Sequence, residues 1–214
     1  VTNTIIHSTT LPPNGSTNSI AIDSFTIAAS KPLLASSATN ILNYSLRSAG
    51  ANGTFGDGDD VVYLLAPSIP GTGGHSVTFG ITTTPLQPGH YLFQTTPGLL
   101  DTNSSAVAVF TRDFYIANPV AGSLESVLND TLISSTPLQD VESPLGSGFS
   151  TALGVGLFGS TSDVDYWRFD AEAGDMITVR LEADLAGANP LLRLRNASDT
   201  DLASINASGN VAQI

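Results

Sequence analysis

His75-Ser76-Val77-Thr78-Phe79-Gly80-Ile81 sets the reading of the whole chain. Val77, Phe79 and Ile81 recur at every second position, with polar or small residues between them. Successive side chains of a strand point to opposite faces, so this period places three large apolar groups on one face and predicts a half-buried strand. Ile177, Val179 and Leu181 repeat the pattern around Thr178 and Arg180. Further runs with strand period lie at 20–27, 61–65, 91–95, 106–110, 113–116, 165–169, 191–195 and 202–205. Turn residues punctuate them at Pro12-Pro13-Asn14-Gly15, at 71–74, at Pro88-Gly89 and at Ala173-Gly174-Asp175. The one helical piece, 36–43, is too short to be more than a connection. Many short strands separated by Gly/Pro turns predict an all-β sandwich or barrel.

Composition narrows the class. The 214 residues carry 19 acidic and 7 basic side chains, a formal net charge of −12. That charge repels phosphate backbones and anionic membranes and attracts cations, so nucleic acid is excluded as a partner. Hydrophobic residues make up 41% of the chain, too many for a disordered one. No apolar run approaches the roughly 18 residues of a membrane span, so no membrane insertion is expected. There is no Cys, hence no disulfide framework and no thiolate site. The sequence opens at Val1 without a basic and apolar leader, so an export signal is expected to have been removed or to lie upstream. Together with a sequence pI near 4.2, this fits large extracellular or cell-surface prokaryotic proteins held together by cores and metal ions.

Asn118-Pro119-Val120-Ala121-Gly122-Ser123 closes a strand-rich stretch, and 124–148 is polar and irregular. The expected organisation is therefore a first β-sandwich over 1–118, a linker and leading segment over 119–148, and a second sandwich over 149–214. Either sandwich is of ordinary domain size.

The densest chemical signal is Ala51-Asn52-Gly53-Thr54-Phe55-Gly56-Asp57-Gly58-Asp59-Asp60-Val61. Two carboxylates about 4 Å apart repel by roughly 4 kcal/mol at an effective dielectric near 20, so a cluster this tight calls for a counter-ion. A hard cation with oxygen ligands supplies one, and glycines let carbonyls join the carboxylates. Asn52, Asp57, Asp59 and Asp60 are the candidate ligands, with calcium the expected ion. The loop is not an EF-hand, since no Glu stands at its twelfth position, and a single Gly-Asp-Gly-Asp-Asp stretch is not a stacked calcium repeat. The other reading of these residues is a solvated acidic turn.

Ile22-Asp23-Ser24-Phe25-Thr26-Ile27, Leu42-Asn43-Tyr44-Ser45-Leu46, the 53–62 loop and Leu86-Gln87-Pro88-Gly89-His90-Tyr91 together resemble the bacterial Ig-like domains of large surface proteins, over about 18–118. Asp163-Val164-Asp165-Tyr166-Trp167-Arg168-Phe169, Ala173-Gly174-Asp175 and Pro190-Leu191-Leu192-Arg193-Leu194 are similar to the prokaryotic pre-peptidase C-terminal domain, which includes the collagen-binding modules of secreted collagenases. This likeness spans about 124–214 and implies a jelly-roll. In calcium-binding members a leading Glu-x-Glu-Pro-Asn-Asp segment and a later Asp-x-Asp surround the ion. Here the leading segment is Glu125-Ser126-Val127-Leu128-Asn129-Asp130, so the second Glu and the Pro are replaced. The resemblance leaves Glu125, Asn129, Asp130, Asp163 and Asp165 as ligands. The alternative is that Asn129 and Asp130 start a turn and Asp163 caps a strand.

No Gly-x-Ser-x-Gly elbow, His-Glu-x-x-His or Cys is present, and His7, His75 and His90 are far apart. The chain is therefore expected not to be an enzyme. A glycosidase carboxylate pair would have to face each other across a cleft, which sequence cannot place. Tyr166 and Trp167 are adjacent, so one is expected to face the core and the other the surface. The resulting expectation is two tandem antiparallel β-sandwiches, Ig-like then jelly-roll, serving as a calcium-stabilised structural or adhesive module, part of a surface layer or filament. Its partners would be other domains of the same chain or neighbouring copies. The alternative is a substrate-targeting accessory region of a secreted hydrolase, binding collagen or polysaccharide. The second sandwich reads as incomplete at Ile214, to be finished by further chain or by a neighbour's strand, with 1–10 as candidate donor.

Overall fold

In the computed structural model, which describes residues 3–69, 73–184 and 188–214, the 75–81 pattern is a strand whose Val77, Phe79 and Ile81 are buried. It belongs to a four-stranded antiparallel sheet. The order is β1 (Ile6–Thr9), β3 (Ser24–Ala29), β7 (Ser76–Ile81) and β6 (Leu65–Ser68). A five-stranded sheet runs β2 (Thr17–Asn18), β9 (Thr111–Ile116), β8 (Gly89–Thr95), β4 (Tyr44–Ser48) and β5 (Val61–Tyr63). Only β2 lies parallel to its neighbour in that sheet.

The two sheets face each other through one core because each central strand alternates. Phe25, Ile27 and Ala29 come from β3, Tyr44 and Leu46 from β4, Tyr91 and Phe93 from β8, and Phe114 and Ile116 from β9. Aromatic rings fill its centre. Phe25 stacks on Phe79 at 4.7 Å and meets Phe93 edge-on at 4.9 Å, while Tyr44 meets Phe79 edge-on at 4.6 Å. Such offset and edge-to-face pairs are the favoured arrangements of aromatic quadrupoles. The Tyr91 hydroxyl donates to the Gln87 carbonyl at 2.6 Å, which ties the start of β8 to the turn before it. The helical piece forms as two short turns, α1 (Ala35–Ala38) and a 3-10 turn at Ile41–Asn43.

Two expectations differ from the structure within this region, and a third lies partly outside the described residues. Residues 107–110 join no ladder: Val107, Ala108 and Phe110 send their amides to Leu99 O, Thr4 O and Thr95 Oγ1, three unrelated partners. The proposed donor segment is instead part of its own sheet, since β1 pairs with β3 and Ile6 is buried; residues 1 and 2 lie outside the described residues. The turn at 71–74 is described only from residue 73.

Compactness divides the chain between Phe169 and Asp170, not near residue 120. The physical reason is β10 (Gly122–Leu124), which pairs in parallel with β14 (Leu153–Val155) and inserts Leu124, 4% exposed, into the sandwich core. Val155 packs against the same core. Two small ladders complete this unit: β11 (Thr136–Pro137) with β15 (Trp167–Arg168), and β12 (Val141–Glu142) with β13 (Ser150–Thr151). Tyr166 and Trp167 are both half-buried, and the Trp167 ring lies so close to Gly154 that a Cβ there would meet it at 2.9 Å.

The second unit, 170–214, contains two antiparallel ribbons, β16 (Arg180–Glu182) with β19 (Val211–Gln213) and β17 (Leu191–Arg195) with β18 (Asp201–Asn206). Val179 and Ile214 extend the ladder of β16 and β19 by exchanging both backbone bonds at 3.0 Å. The expected 149–214 jelly-roll does not appear as one closed sandwich among the described residues. Its first part belongs to the first unit, and the remainder forms two-stranded sheets.

Candidate metal centres

The 52–60 loop leaves β4 and returns into β5, and it folds on its own polar groups. Asn52 Nδ2 donates to Asp57 Oδ2 at 2.7 Å and to Asp59 Oδ1 at 2.9 Å. The Ala51 amide donates to Asp59 Oδ2 at 2.9 Å and the Gly56 amide to Asp60 Oδ2 at 2.8 Å. Gly50, at φ +59°, has no room for a side chain, because a Cβ would stand 2.4 Å from the Asp59 carbonyl. Asp57, Asp59 and Asp60 each bring a carboxylate oxygen within 4.8 Å of the others. Asp57 is held below the usual carboxylate range, first by its side-chain hydrogen bond with Asp59 and then by the Asn52 amide. Arg47 approaches Asp60 Oδ2 at 3.6 Å, while the buried Asp60 Oδ1 has no hydrogen-bond partner. The loop thus meets part of its repulsion with its own amides, and Asn52 turns its nitrogen rather than its oxygen to the carboxylates.

The second set of candidates comes from β10, the loop after it, and the approach to β15. Although 40 residues apart in sequence, Glu125 and Asp165 lie within side-chain hydrogen-bonding reach. Glu125 is 6% exposed, and its Oε2 accepts from the Leu157 amide at 2.7 Å. Gly156 makes this position accessible, since a Cβ there would stand 2.5 Å from Glu125 Oε2. Burial pushes the Glu125 carboxyl up to about 7, helped by the charges of Asp165 and Asp163. Burial likewise raises Asp165 to about 6, helped by Asp163 and, more weakly, Asp130. Both shifts have the cause expected of carboxylates gathered out of water without a cation.

Asn129 sits against this pair, 1% exposed. Its carboxamide nitrogen donates to Glu125 Oε1 at 3.1 Å and to Asp165 Oδ1 at 3.2 Å, and its oxygen accepts from Thr136 Oγ1 at 3.3 Å, the orientation that satisfies every partner. A cavity of about 140 Å³ opens beside the cluster, lined by Glu125, Asp130, Asp163 and Gly159 and, from the sandwich, by Asp23, Thr84 and Pro85. No basic residue lines it. The structure therefore gathers Glu125, Asn129, Asp130, Asp163 and Asp165 into one neighbourhood, separate from the exposed 52–60 loop. Sequence reasoning missed Asp23 and Thr84, which no spacing connects to Glu125. It also missed the Leu157 and Gly159 amides that hold Glu125 and Asp163.

His90 and His75 make separate contacts. His90 Nε2 is 3.0 Å from Asp113 and its ring stacks on Tyr115 at 4.1 Å, while His75 Nδ1 is 3.3 Å from the Ala29 carbonyl. Among the described residues no helix is long and apolar enough to cross a membrane.

No family model matches the chain, and no curated protein matches it. Among solved structures it is similar to PcoC, a methionine-rich copper resistance protein from Escherichia coli, at 11% identity and a TM-score of 0.41, over 54% of this chain and all of that one. It is similar to domains 1–6 of the surface layer protein SbsC at 15% identity and a TM-score of 0.39, over the whole of this chain and 32% of that one. CopC from Methylosinus trichosporium OB3b matches at 8% identity and a TM-score of 0.37, over 54% of this chain and 95% of that one. The all-β class rests on the sheets described above.

Proposed function

We propose that this chain is a non-catalytic structural or adhesive module of a large secreted or cell-surface prokaryotic protein, stabilised by calcium. The observation that carries the reading is the cage of Glu125, Asn129 and Asp165. Two carboxylates within hydrogen-bonding reach of each other meet the buried Asn129 carboxamide, and the charges of Asp163 and, more weakly, Asp130 reach them. Two carboxylates this close relieve their repulsion by sharing a cation, and calcium takes such oxygens at roughly 2.3–2.6 Å. Oxygen-only donors, with no His or Cys, suit a hard cation rather than copper or zinc. With the ion bound, Asn129 presents its oxygen. Without it, the carboxamide turns and its nitrogen donates to the two carboxylates.

At the 52–60 loop, Asp57, Asp59 and Asp60 would hold a second ion, with Asn52 turning its oxygen inward in the same way. The unpartnered Asp60 Oδ1 supports this site. A metal ion bound only by the folded state stabilises by about 2.7 kcal/mol at a hundredfold excess over Kd, and millimolar extracellular calcium provides that excess for weak sites. The partners would be further domains of the same chain or neighbouring copies in a surface array.

Several features support a non-catalytic role. Glu125 and Asp165 are too close for either glycosidase geometry, which needs about 5–5.5 Å or 6.5–9.5 Å between carboxyls. The three histidines are not assembled with a nucleophile.

Trp167, the only tryptophan, offers a direct test. It lies two residues from Asp165, within roughly 7 Å along the chain. Terbium bound in the cage should luminesce on tryptophan excitation and be displaced by calcium. Absence of luminescence would remove the cage, and peptide or glycan cleavage that is lost in Glu125→Gln would overturn the non-catalytic reading.

A further inference from the structure

The chain contains two Asn-Gly pairs, Asn14-Gly15 and Asn52-Gly53. Glycine has no Cβ, so its amide nitrogen approaches the Cγ of a preceding asparagine with the least hindrance. We propose that Asn52 is a modification site built into the acidic loop: in the folded protein it converts spontaneously to aspartate or isoaspartate, and the conversion irreversibly unlocks the loop. This does not require an ion at 52–60. The only co-reactant is water. Solvent base removes the Gly53 amide proton, the nitrogen bonds to Asn52 Cγ, and the Cγ–Nδ2 bond breaks to release ammonia with a proton taken from water. Water then opens the cyclic imide at one carbonyl or the other, leaving aspartate or isoaspartate.

The two pairs are matched except at the nucleophile. Both asparagines are exposed, both glycines stand at φ +73° with open space where a Cβ would be, and both carboxamide oxygens accept a backbone amide. Thr54 donates to Asn52 Oδ1 at 2.7 Å, and Asp113 donates to Asn14 Oδ1 at 3.0 Å. Such a donor polarises Cγ and stabilises the oxyanion that forms on attack. The Gly15 amide, however, donates to the Asp113 carbonyl at 2.8 Å, so it reaches Asn14 only after this bond opens. The Gly53 amide meets no acceptor among the described residues. At Asn52 alone, a free nucleophile adjoins a polarised electrophile.

The reaction removes the contacts that order the loop. Asn52 Nδ2 donates to Asp57 Oδ2 at 2.7 Å and to Asp59 Oδ1 at 2.9 Å, and this donor leaves as ammonia. Aspartate puts a third carboxylate against the two, a like-charge contact that repels. Isoaspartate also routes the main chain through the side chain, which displaces the Thr54 amide from its acceptor. The next contacts outward are the Gly53 carbonyl with His90 Nδ1 at 3.4 Å and the Phe55 ring against the His90 ring at 4.5 Å, so the loss reaches β8. Because ammonia escapes, the loop does not close again.

The experiment incubates the folded full chain at neutral and mildly alkaline pH, with parallel samples in guanidinium chloride, and follows the replacement of NH2 by OH at each asparagine by mass-spectrometric peptide mapping. In the folded chain Asn52 should convert at least about tenfold faster than Asn14, whose Gly15 amide reacts only through local opening, and the rate should rise with pH. In denaturant the two rates should converge. Amide exchange in the Asn52→Asp variant should be faster than in wild type at Ala51 and Gly56, the amides that donate to Asp59 and Asp60. If Asn14 keeps pace with Asn52 in the folded chain, or if Asn52 converts only in denaturant, the loop protects its carboxamide and the modification site is wrong. If Asn52→Asp exchanges like wild type, conversion leaves the loop closed and the unlocking is wrong.

Discussion

Removing calcium while raising the pH should destabilise this protein in a way that can be traced to two carboxyls. Glu125 and Asp165 have folded-state values of about 7 and about 6, above ordinary values of 4.5 and 3.8. The folded state therefore keeps protons that the unfolded chain has released. In chelator, the contribution of these groups is fully present below about pH 4, falls as the pH passes through 6 and 7, and levels off above about 8. The rise at Glu125 sets a ceiling of about 3 kcal/mol at 1.36 kcal/mol for each tenfold change, and solvent entering the cavity reduces this to about 1–2 kcal/mol. Glu125→Gln removes the buried charge. At pH 8 in chelator the variant should be more stable than wild type by that amount, against the usual direction of a core substitution, and calcium should no longer stabilise its cage. Urea unfolding of both proteins from pH 5 to 8.5 measures this, and their difference cancels the contributions of titrating groups remote from Glu125, leaving Glu125 and its coupled neighbour Asp165. A variant less stable than wild type at pH 8 in chelator would refute the argument.

Phe79→Ala should cost about 3–5 kcal/mol, since it empties the centre of the aromatic cluster, and urea unfolding would record it. Gly154→Ala should shift the fluorescence of Trp167, whose ring a Cβ would meet at 2.9 Å, without altering the sandwich strands. Gly50→Ala should open the acidic loop, because the positive φ and the 2.4 Å approach to Asp59 exclude a side chain; it should weaken calcium binding at 52–60 and leave the Trp167-sensitised terbium signal intact. Asp60→Asn should likewise lower calcium stoichiometry by one without disturbing the cage.

The sandwich was legible because its central strands obey a strict two-residue period and their turns carry Gly and Pro. The pattern at 75–81 became β7 with its three apolar residues buried, and 191–195 became β17. Period alone does not show which strand meets which. Residues 106–110 read as a strand run as 91–95 do, yet the Val107, Ala108 and Phe110 amides go to Leu99 O, Thr4 O and Thr95 Oγ1, so no ladder forms over 107–110. The boundary near 120 reflected a real break in composition but could not show Leu124 reaching into the sandwich core. The 52–60 cluster is local and was visible as written. The meeting of Glu125 with Asp165 depends on the parallel pairing of β10 with β14 and β11 with β15, a contact of long sequence separation that only the family resemblance implied. Asp23 was invisible for the same reason, with no resemblance to suggest it.

Calorimetric unfolding of the chain in millimolar calcium and in chelator, at pH 7.5 and equal ionic strength, tests the central claim most directly. For a protein of this size each kcal/mol moves Tm by about 2–4 °C, so about 2.7 kcal/mol of calcium linkage predicts a rise of roughly 5–10 °C, lost when Glu125→Gln and Asp60→Asn are combined. An unchanged Tm would mean that the acidic loop and the buried carboxylates hold no ion, and the calcium-stabilised account would be wrong.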